Sequence, residues 1–447
     1  KSMSYMDEYR RKLVTPEEAV KVIKPGDWIE YGFCVCAPIE LDKALAARKD
    51  ELKDINIRSG VTVYFPEVMK VDPNGEVFGW NSIHFSGADR KIYKNNAAWY
   101  IPIKYSEVPR YVREEWDIDV FMVQTTPMDE HGYFNFSVSV SHHFAAAEKA
   151  KIVIVEVNEN LPKVHGGYEH AIHISQVDYI VEGNNTPPAQ FPAAQPTDVD
   201  RAVAKQIVGM LRDGDCIQLG IGGMPNAVGS LIAESDLKDL GCHTEMLVDA
   251  YVDMYLAGNL SGLKKNFDRG RMVFTFAGGT KKLYDFMNDN PIVAGYPVNY
   301  TNHPAIAERL DNLVSINNVV EVDLFGQVCA ESSGWKHISG TGGQLDFVQA
   351  AYASKGGRSF LCLSSTYKDK DGNLKSRIVP TLPQGAIATD PRTATHYVVT
   401  EHGMANMKGK ATWQRAEALI EIAHPDFREE LIKEAEKMQI WRRSNKR

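Results

Sequence analysis

Short apolar runs alternate with longer amphipathic stretches along this chain. Each run is short enough for a buried strand, and the stretches between the runs have helical periodicity. Strands that alternate with helices form parallel sheets with helices packed on their faces. The pattern therefore predicts an α/β fold with mainly parallel sheets. The runs lie at 28–31, 62–65, 120–124 and 152–157 in the first half, and at 216–219, 272–276, 314–322 and 359–363 in the second half.

Two sequence landmarks occur in the same order in both halves. KPGDWIEYG at 24–32 parallels RDGDCIQLG at 212–220, and PMDEHGYFNF later parallels EVDLFGQVCA at a similar spacing. Landmarks that recur in order indicate that one structural unit is used twice. The segment 183–200, rich in proline and small polar residues, is typical of a connector. We therefore predict two similar open α/β domains at 1–190 and 191–447, with the candidate catalytic residue in the second.

A glycine-rich turn follows the first apolar run of the second half. The sequence CIQLGIGGMPNAVGSLIA predicts a strand, a turn containing Gly220, Gly222 and Gly223, and a helix over 226–233. Pro225 suits the first turn of a helix, where the N–H that proline lacks has no partner. Glycines allow positive φ and close approach of a ligand, and free N–H groups at a helix start favour negative charge. An ordinary tight turn is the alternative.

Two functional interpretations of this turn compete. A dinucleotide site requires a small residue at the sixth position of G-x-G-x-x-G, but Pro225 occupies that position. Glu245 stands roughly 20 residues further on, where a ribose-binding acid is expected, so this interpretation stays open. In the second interpretation Glu245, at the start of the apolar run in HTEMLVDA, is a nucleophilic carboxylate.

A carboxylate nucleophile is suited to acyl thioesters. Glutamate is ionised at neutral pH but is a weak nucleophile. Apolar surroundings increase its nucleophilicity because they remove hydrating water. A thiolate leaves without a strong general acid, and N–H donors of a nearby glycine turn stabilise the oxyanion. Acyl thioesters in cells are mostly coenzyme A esters, and this long, phosphorylated molecule can use two glycine elements. The second element is SGTGGQLDF at 339–347, with Gly340, Gly342 and Gly343; a flexible loop is the alternative.

Composition narrows the class of protein. The 447 residues are 44% hydrophobic and 24% charged, as in a globular protein of two or three domains. The net charge of −8 argues against nucleic acid as the main partner. No apolar run approaches a membrane span, and the N-terminal segment has no apolar signal region. The six scattered cysteines indicate a reduced, cytoplasmic protein. Neither H-E-x-x-H nor paired C-x-x-C occurs, so no metal site is expected.

Several motifs together resemble the acetyl-CoA hydrolase/transferase family. They are GIGGMPNAV, HTEMLVDAYVD, EVDLFGQVCAES, SGTGGQLDF, VTEHGMANMKGK and ALIEIAHPDFR, with WNSIHFSGADRK and PMDEHGYFNF in the first half. The resemblance runs from about Tyr9 to Phe427, and the set of motifs is far more specific than one glycine loop. It implies a class I CoA-transferase with two similar open α/β domains, in agreement with the repeat.

The resemblance also implies roles for particular residues. Glu245 in HTEML would be the nucleophile that forms a glutamyl-CoA thioester. Glu401 in TEHG would contact Glu245 without touching the substrate. The alternative is that Glu401 is an ordinary acid in a surface loop. The loop 220–226 would bind CoA and supply the oxyanion hole, with the N–H near Ile221 or Gly222 as donor. The residues implied in coenzyme A binding are Gly220, Ile221, Gly222, Gly223, Met224, Pro225, Asn226, Asn317, Gly340, Gly342 and Gly343.

The implied reaction is ping-pong transfer of coenzyme A between short-chain carboxylic acids, with butyryl-CoA and acetate as the first expectation. Transfer to 4-hydroxybutyrate and hydrolysis of acyl-CoA are the enzymatic alternatives. The non-enzymatic alternative is a ligand-sensing α/β module, although the basic recognition helix usual in such regulators is not evident. Coenzyme A is expected as a substrate, with no tightly bound cofactor. Acyl-CoA and short-chain carboxylates are the expected ligands, and the resemblance implies a homo-oligomer.

Overall fold

The computed structural model describes residues 4–442 and folds into two compact units. The first unit contains the described residues up to Pro192 together with Glu245–Asp249 and Val273–Thr301. The second contains Ala193–Thr244, Ala250–Met272 and the described residues from Asn302 onward. This division differs from the continuous segments 1–190 and 191–447, because two later segments, one of them containing Glu245, pack with the first unit.

A seven-stranded parallel sheet forms the centre of the first unit. Its inner strand Val120–Thr125 is buried throughout, as expected for a strand covered on both faces. From edge to edge the strands are Ala98–Tyr100, Phe78–Ser82, Ile55–Ser59, Trp28–Tyr31, Val120–Thr125, Ile152–Val157 and Tyr179–Glu182. The α-helices within this unit are Tyr5–Lys12, Pro16–Ala19, Glu40–Ala46, Glu67–Val71, Gly87–Lys94, Val108–Arg110, His143–Lys149, Lys281–Met287 and Val298–Thr301.

A six-stranded sheet forms the centre of the second unit. Its strands are parallel except for the last, which returns as a hairpin. In order they are Gly241–Cys242, Cys216–Leu219, Leu313–Asn318, Arg358–Cys362, Tyr397–Thr400 and Gly403–Asn406. The α-helices within this unit are Asp198–Val208, Gly223–Ala233, Pro304–Ala307, Gln344–Ala353, Thr412–Ile422 and Pro425–Lys437, while Asp249–Leu256 begins at the last residue of a first-unit segment.

The two sheets share a five-strand core with the same connectivity. Five strands of each sheet remain when the edge strands Ala98–Tyr100, Phe78–Ser82 and Gly403–Asn406 are left out. If these five are numbered along the chain, both sheets have the order 2-1-3-4-5. The first landmark forms the same type of turn in both units. Gly26 and Gly214 have φ of 87° and 84°, and the aspartate after each accepts a hydrogen bond from the residue three positions before it. The predicted fold of two similar α/β units with mainly parallel sheets is confirmed.

The second pair of landmarks forms one type of turn in both units. Asp129 accepts hydrogen bonds from the N–H groups two and four residues later, and Asp323 does the same. Gly132 and Gly326 adopt φ of 84° and 92°, the left-handed region that glycine enters without strain. The sequence repeat therefore reflects a repeated backbone conformation.

One predicted strand is wrong and others are divided. Residues 62–65 form a loop, because Val61, with φ of 47°, ends the extended backbone of the preceding strand Ile55–Ser59. The sequence does not predict strand Ile55–Ser59, because polar residues interrupt it and no continuous apolar run is present. The run 272–276 contains two short strands with Thr275 between them. The run 314–322 similarly contains the end of one strand and the start of another.

Smaller sheets complete the two units. In the first unit Tyr133–Asn135 pairs with Ala171–His173, and Met246–Leu247 pairs with Phe276–Ala277. In the second, Glu321–Asp323 lies between Val328–Cys329 and Ile378–Val379. Within 4–442, no helix has both the length and the apolar character needed to cross a membrane. The remaining short strands are Met272–Phe274 with Val293–Gly295, Ser332–Ser333 with Lys336–His337, and Thr366–Lys368 with Leu374–Ser376.

Candidate active site

The backbone of Glu245 is fixed in the first unit by paired hydrogen bonds. Its carbonyl oxygen accepts from the N–H groups of Thr275 and Phe276, both at 3.1 Å. The strand that follows, Met246–Leu247, pairs in parallel with Phe276–Ala277. These bonds fix the direction in which the Glu245 side chain leaves the backbone, which helps to place a nucleophile. Glu245 is half-buried.

Aromatic rings pack around Phe276, whose N–H donates to the Glu245 carbonyl. The Phe276 ring lies 5.1 Å from that of Phe33 and 6.2 Å from that of Tyr105, between ring centroids. Burial raises the pKa of Tyr105 well above its ordinary value, and the charge of Glu245 raises it further. The Glu245 carboxylate therefore acts on a tyrosine that is itself buried. Apolar surroundings of this kind reduce the hydration of a carboxylate, as the proposed chemistry requires.

The predicted strand, glycine turn and helix at 216–233 are confirmed. Strand Cys216–Leu219 is buried, and helix Gly223–Ala233 begins directly after Gly222, whose φ is 132°. A Cβ on Gly222 would lie 2.2 Å from the Asn318 side-chain nitrogen, so the turn needs glycine for space as well as for conformation. The first N–H groups of the helix have no acceptor within it. These donors can bind an anion, which is the role predicted for the loop.

Asn317 lies beside the glycine turn at the end of strand Leu313–Asn318. Its side-chain amide exchanges hydrogen bonds with the Gln218 amide at 3.1 Å and donates to Ser315 at 2.9 Å. A Cβ on Gly220 would come within 2.6 Å of the Asn317 side-chain oxygen. Asn317 thus links the strands Cys216–Leu219 and Leu313–Asn318, and its side chain packs closely against Gly220 of the glycine turn. Its predicted contact with coenzyme A stays a prediction.

The second glycine element also lies in the second unit. Gly340 and Gly342 have φ of 159° and 54°, and Gly343 precedes the predicted helix, which is confirmed as Gln344–Ala353. The side-chain amide of Gln344 donates to the Asn318 carbonyl at 3.0 Å. Asn318 therefore contacts residues of both glycine elements. Sequence reasoning chose Asn317 and missed Asn318, although the adjacent NN in SINNVV was a signal for either.

A buried carboxylate holds the second glycine element in place. The Glu331 carboxylate accepts hydrogen bonds from the hydroxyls of Thr341, within the element, and Thr389. Asp390, next to Thr389, is fully buried, and neither of its carboxylate oxygens has a hydrogen-bond partner in the described part of the chain. Burial, followed by the charge of Glu331, raises the pKa of Asp390 from 3.8 to about 8.

We expect the Asp390 carboxyl to make the stability of the protein depend on pH. Because its pKa is raised, the folded state favours the protonated form, and the stabilisation is lost as pH rises from about 4 through about 8. Between about pH 5 and pH 9 this loss is on the order of 4 kcal/mol. Asp390→Asn should remove this slope in the free energy of unfolding. Unfolding curves with the exposed Asp371→Asn as control test this, and parallel wild-type and Asp390→Asn slopes would contradict it.

Glu401 lies just beyond strand Tyr397–Thr400 in the second sheet. Its carboxylate accepts a hydrogen bond from the backbone N–H of Ser365 at 2.7 Å, and the side chain is half-buried. Glu401 is thus a structured residue that ties two strand ends together. Its predicted support of Glu245 stays a prediction.

Three of the predicted second-unit positions lie at the carboxyl ends of parallel strands in the six-stranded sheet. Gly220 follows Cys216–Leu219, Asn317 belongs to Leu313–Asn318, and Glu401 follows Tyr397–Thr400. Open α/β sheets bind ligands at this edge. Glu245 belongs to the first unit, and its joint action with the glycine loop stays a prediction. Among residues 4–442, no group of three His, Cys, Asp or Glu side chains is placed to hold a metal ion.

Two α/β units with a common strand order and glycine turns at strand ends define the architecture of class I CoA-transferases. The models of the acetyl-CoA hydrolase/transferase N-terminal and C-terminal domains match residues 1–192 and 279–435. The chain belongs to this family, as the motifs predicted.

Individual proteins resemble the chain over nearly its whole length. The butyryl-CoA:acetate CoA-transferase of Anaerostipes caccae is 60% identical, covering 99% of this chain and 100% of that protein. The crystal structure of RipA from Yersinia pestis has a TM-score of 0.88 at 37% identity, covering 98% of this chain and 100% of RipA. The 4-hydroxybutyrate CoA-transferase from Porphyromonas gingivalis has a TM-score of 0.79 at 33% identity, covering 97% and 100%.

Proposed function

We propose that the protein transfers coenzyme A from an acyl-CoA to a short-chain carboxylic acid, with butyryl-CoA and acetate as the substrates. The full-length 60% identity to a butyryl-CoA:acetate CoA-transferase carries this proposal. The backbone bonds that fix Glu245 and the aromatic rings near it support the chemistry. Coenzyme A acts as a substrate and leaves in each cycle.

In the first half of the proposed reaction, Glu245 takes the coenzyme A group. A Glu245 carboxylate oxygen attacks the acyl carbonyl, the C–S bond breaks, and CoA thiolate leaves with the electron pair, giving a mixed anhydride. The thiolate then attacks the Glu245 side-chain carbonyl, and the C–O bond breaks to release the product carboxylate. The enzyme is left as a glutamyl-CoA thioester, with no net proton transfer.

The second half runs the same steps in reverse with a new acid. Acetate attacks the glutamyl-CoA carbonyl, and the released thiolate attacks the acetyl side of the resulting anhydride. Glu245 is regenerated as a carboxylate and acetyl-CoA leaves. In this proposal the N–H groups of the loop 220–226 stabilise the oxyanions and bind coenzyme A, as do Asn317, Gly340, Gly342 and Gly343. Glu401 contacts the reacting Glu245 and helps to position it, without touching the substrate.

Measuring acyl-CoA products with and without an acid acceptor tests the proposed function. Butyryl-CoA with acetate should give acetyl-CoA at a rate that depends on acetate, with little free thiol. Thiol release that is unaffected by acetate would instead indicate a hydrolase. Competition between acetate and 4-hydroxybutyrate measures the preference that the likeness to a 4-hydroxybutyrate CoA-transferase leaves open. A protein that binds acyl-CoA without any turnover would be a sensor.

A further inference from the structure

An exposed tryptophan lies in the turn of a short hairpin in the second unit. Strands Ser332–Ser333 and Lys336–His337 are antiparallel and leave a two-residue turn, Gly334 and Trp335, between them. Gly334 has φ of 55° at the first central position, where a type II′ turn favours glycine. Trp335 is 77% exposed, the highest value among the large hydrophobic residues of 4–442. A single exposed apolar residue is ordinary, so its surroundings decide whether it has a role.

The backbone around Trp335 is held in place although its ring is exposed. A Cβ added to Gly385 would lie 3.0 Å from the Trp335 Cβ, so Gly385 lies close to the start of this side chain. Two residues later, the N–H of Ile387 donates to the Ser332 hydroxyl at 3.2 Å. The hairpin and the segment 385–387 therefore support each other. A ring on a fixed base loses less freedom when a flat ligand stacks on it.

Hydrogen bonds join the hairpin to the second glycine element. The backbone carbonyl of Glu331, directly before the hairpin, accepts from the Ser339 N–H at 3.2 Å. The Glu331 carboxylate accepts from the Thr341 hydroxyl at 2.9 Å, and His337 Nε2 lies 2.7 Å from the Ser339 carbonyl oxygen. The position of Trp335 is therefore fixed relative to the glycines that follow.

The second glycine element leads from the hairpin to the edge of the sheet. At its far end the Gln344 side chain donates to the carbonyl of Asn318, the last residue of a parallel strand. Open α/β sheets bind ligands at this edge. A long ligand that lies along the glycines with its reactive end at the sheet therefore extends toward the hairpin. Gly340 is five residues after Trp335 (340 − 335), a separation of at most about 18 Å.

Coenzyme A has chemistry that suits the hairpin at the end opposite its thiol. This end carries adenine, a flat aromatic base, and negatively charged phosphate groups. Nucleic-acid bases stack on exposed aromatic side chains whatever their sequence, because every base has a π-face. Lys336 follows Trp335 and is exposed, so it adds a positive charge that favours a phosphate beside the base.

We propose that Trp335 stacks on the adenine of coenzyme A. This inference rests on the proposed function, in which the second glycine element binds coenzyme A. Trp335 takes no part in the bonds that form and break. Its contribution is binding energy from a remote part of the substrate, which a reaction through a closed site can use at the reacting centre.

Kinetics with a full-length and a truncated thioester test the proposal. Trp335→Ala should lower kcat/KM for butyryl-CoA about 10- to 100-fold, the range expected for loss of stacking on one base. Butyryl-pantetheine lacks the adenine and its phosphates. Wild type and Trp335→Ala should therefore have kcat/KM values for butyryl-pantetheine within about twofold of each other. Trp335→Phe keeps an aromatic face and should recover most of the loss with butyryl-CoA.

Trp99→Ala is the matched control. Trp99 is also exposed, at 54%, but it lies in strand Ala98–Tyr100 of the first unit. This variant should keep the wild-type kcat/KM for both substrates. Size-exclusion chromatography of the variants tests whether a second copy of the chain covers Trp335 instead. A changed oligomeric state with equal losses for both substrates would overturn the proposal. So would a kcat/KM of Trp335→Ala for butyryl-CoA within about twofold of wild type.

Binding of coenzyme A without turnover keeps this test apart from that of the proposed function. In calorimetry, Trp335→Ala should raise the Kd for coenzyme A by about 10- to 100-fold. Weakened binding by this variant of a protein that does not exchange coenzyme A would contradict the proposed function and support the role of Trp335. An unchanged Kd in an enzyme that exchanges coenzyme A would overturn the role of Trp335 alone. A wild-type protein that does not bind coenzyme A would overturn both.

Discussion

Replacing Glu245 with glutamine should lower the rate of coenzyme A exchange by at least about 10⁴-fold. The amide is similar in size but is a poor nucleophile and cannot form the thioester. The variant should fold normally, because the backbone carbonyl of residue 245 keeps its two hydrogen bonds from Thr275 and Phe276. Rates of acetyl-CoA formation from butyryl-CoA and acetate, compared with thermal midpoints, measure both effects.

The matched control for this variant is Glu130→Gln. Glu130 lies in an exposed turn of the same unit, and its side chain is 85% exposed. Its replacement makes the same chemical change with no expected effect on exchange. If Glu245→Gln retained more than about one tenth of the wild-type rate, the covalent mechanism would be wrong.

Gly222→Ala should reduce kcat/KM for butyryl-CoA by about 100-fold. The residue has φ of 132°, which alanine rarely adopts, and its Cβ would lie 2.2 Å from the Asn318 amide nitrogen. Either the loop or Asn318 must move. The donors at the start of helix Gly223–Ala233 would then be misplaced, and misplacement by about 1 Å is enough for an effect of this size. Steady-state kinetics with varied butyryl-CoA measure it.

Gly372→Ala is the control that separates the backbone strain of a positive φ from the displacement of neighbouring atoms. Gly372 also has a positive φ, at 80°, but a Cβ added there would have no atom within 4 Å. This variant should lose about 1 kcal/mol of stability and keep full activity. Equal activity losses in both variants, or full activity in Gly222→Ala, would show that the glycine turn has no special role.

The local sequence pattern was sufficient to predict elements that are buried along their whole length. Val120–Thr125 is buried along its whole length and consists mostly of apolar residues, so its sequence indicates a strand directly. The glycine turn at 220–223 was predictable because its conformation depends on residue type. The repeat of the α/β unit was visible because aspartate and glycine are needed at equivalent turns.

Pairing between distant residues was not predictable in this way. Strand Ile55–Ser59 contains the buried Arg58, which pairs with Glu30 of the neighbouring strand. The placement of Glu245 in the first unit depends on hydrogen bonds to Thr275 and Phe276. The position of Tyr105 near Glu245 likewise follows from tertiary contacts. The sequence alone carries no period or motif that signals such contacts.

Mass spectrometry of the borohydride-treated enzyme tests the central claim most directly. Enzyme exposed to butyryl-CoA and then reduced should carry the alcohol of a reduced glutamyl thioester at residue 245, and acetate added before the reductant should diminish it. Enzyme reduced without acyl-CoA, and the Glu245→Gln variant, should be unmodified. An unmodified Glu245 peptide from an enzyme that still forms acetyl-CoA would contradict the account.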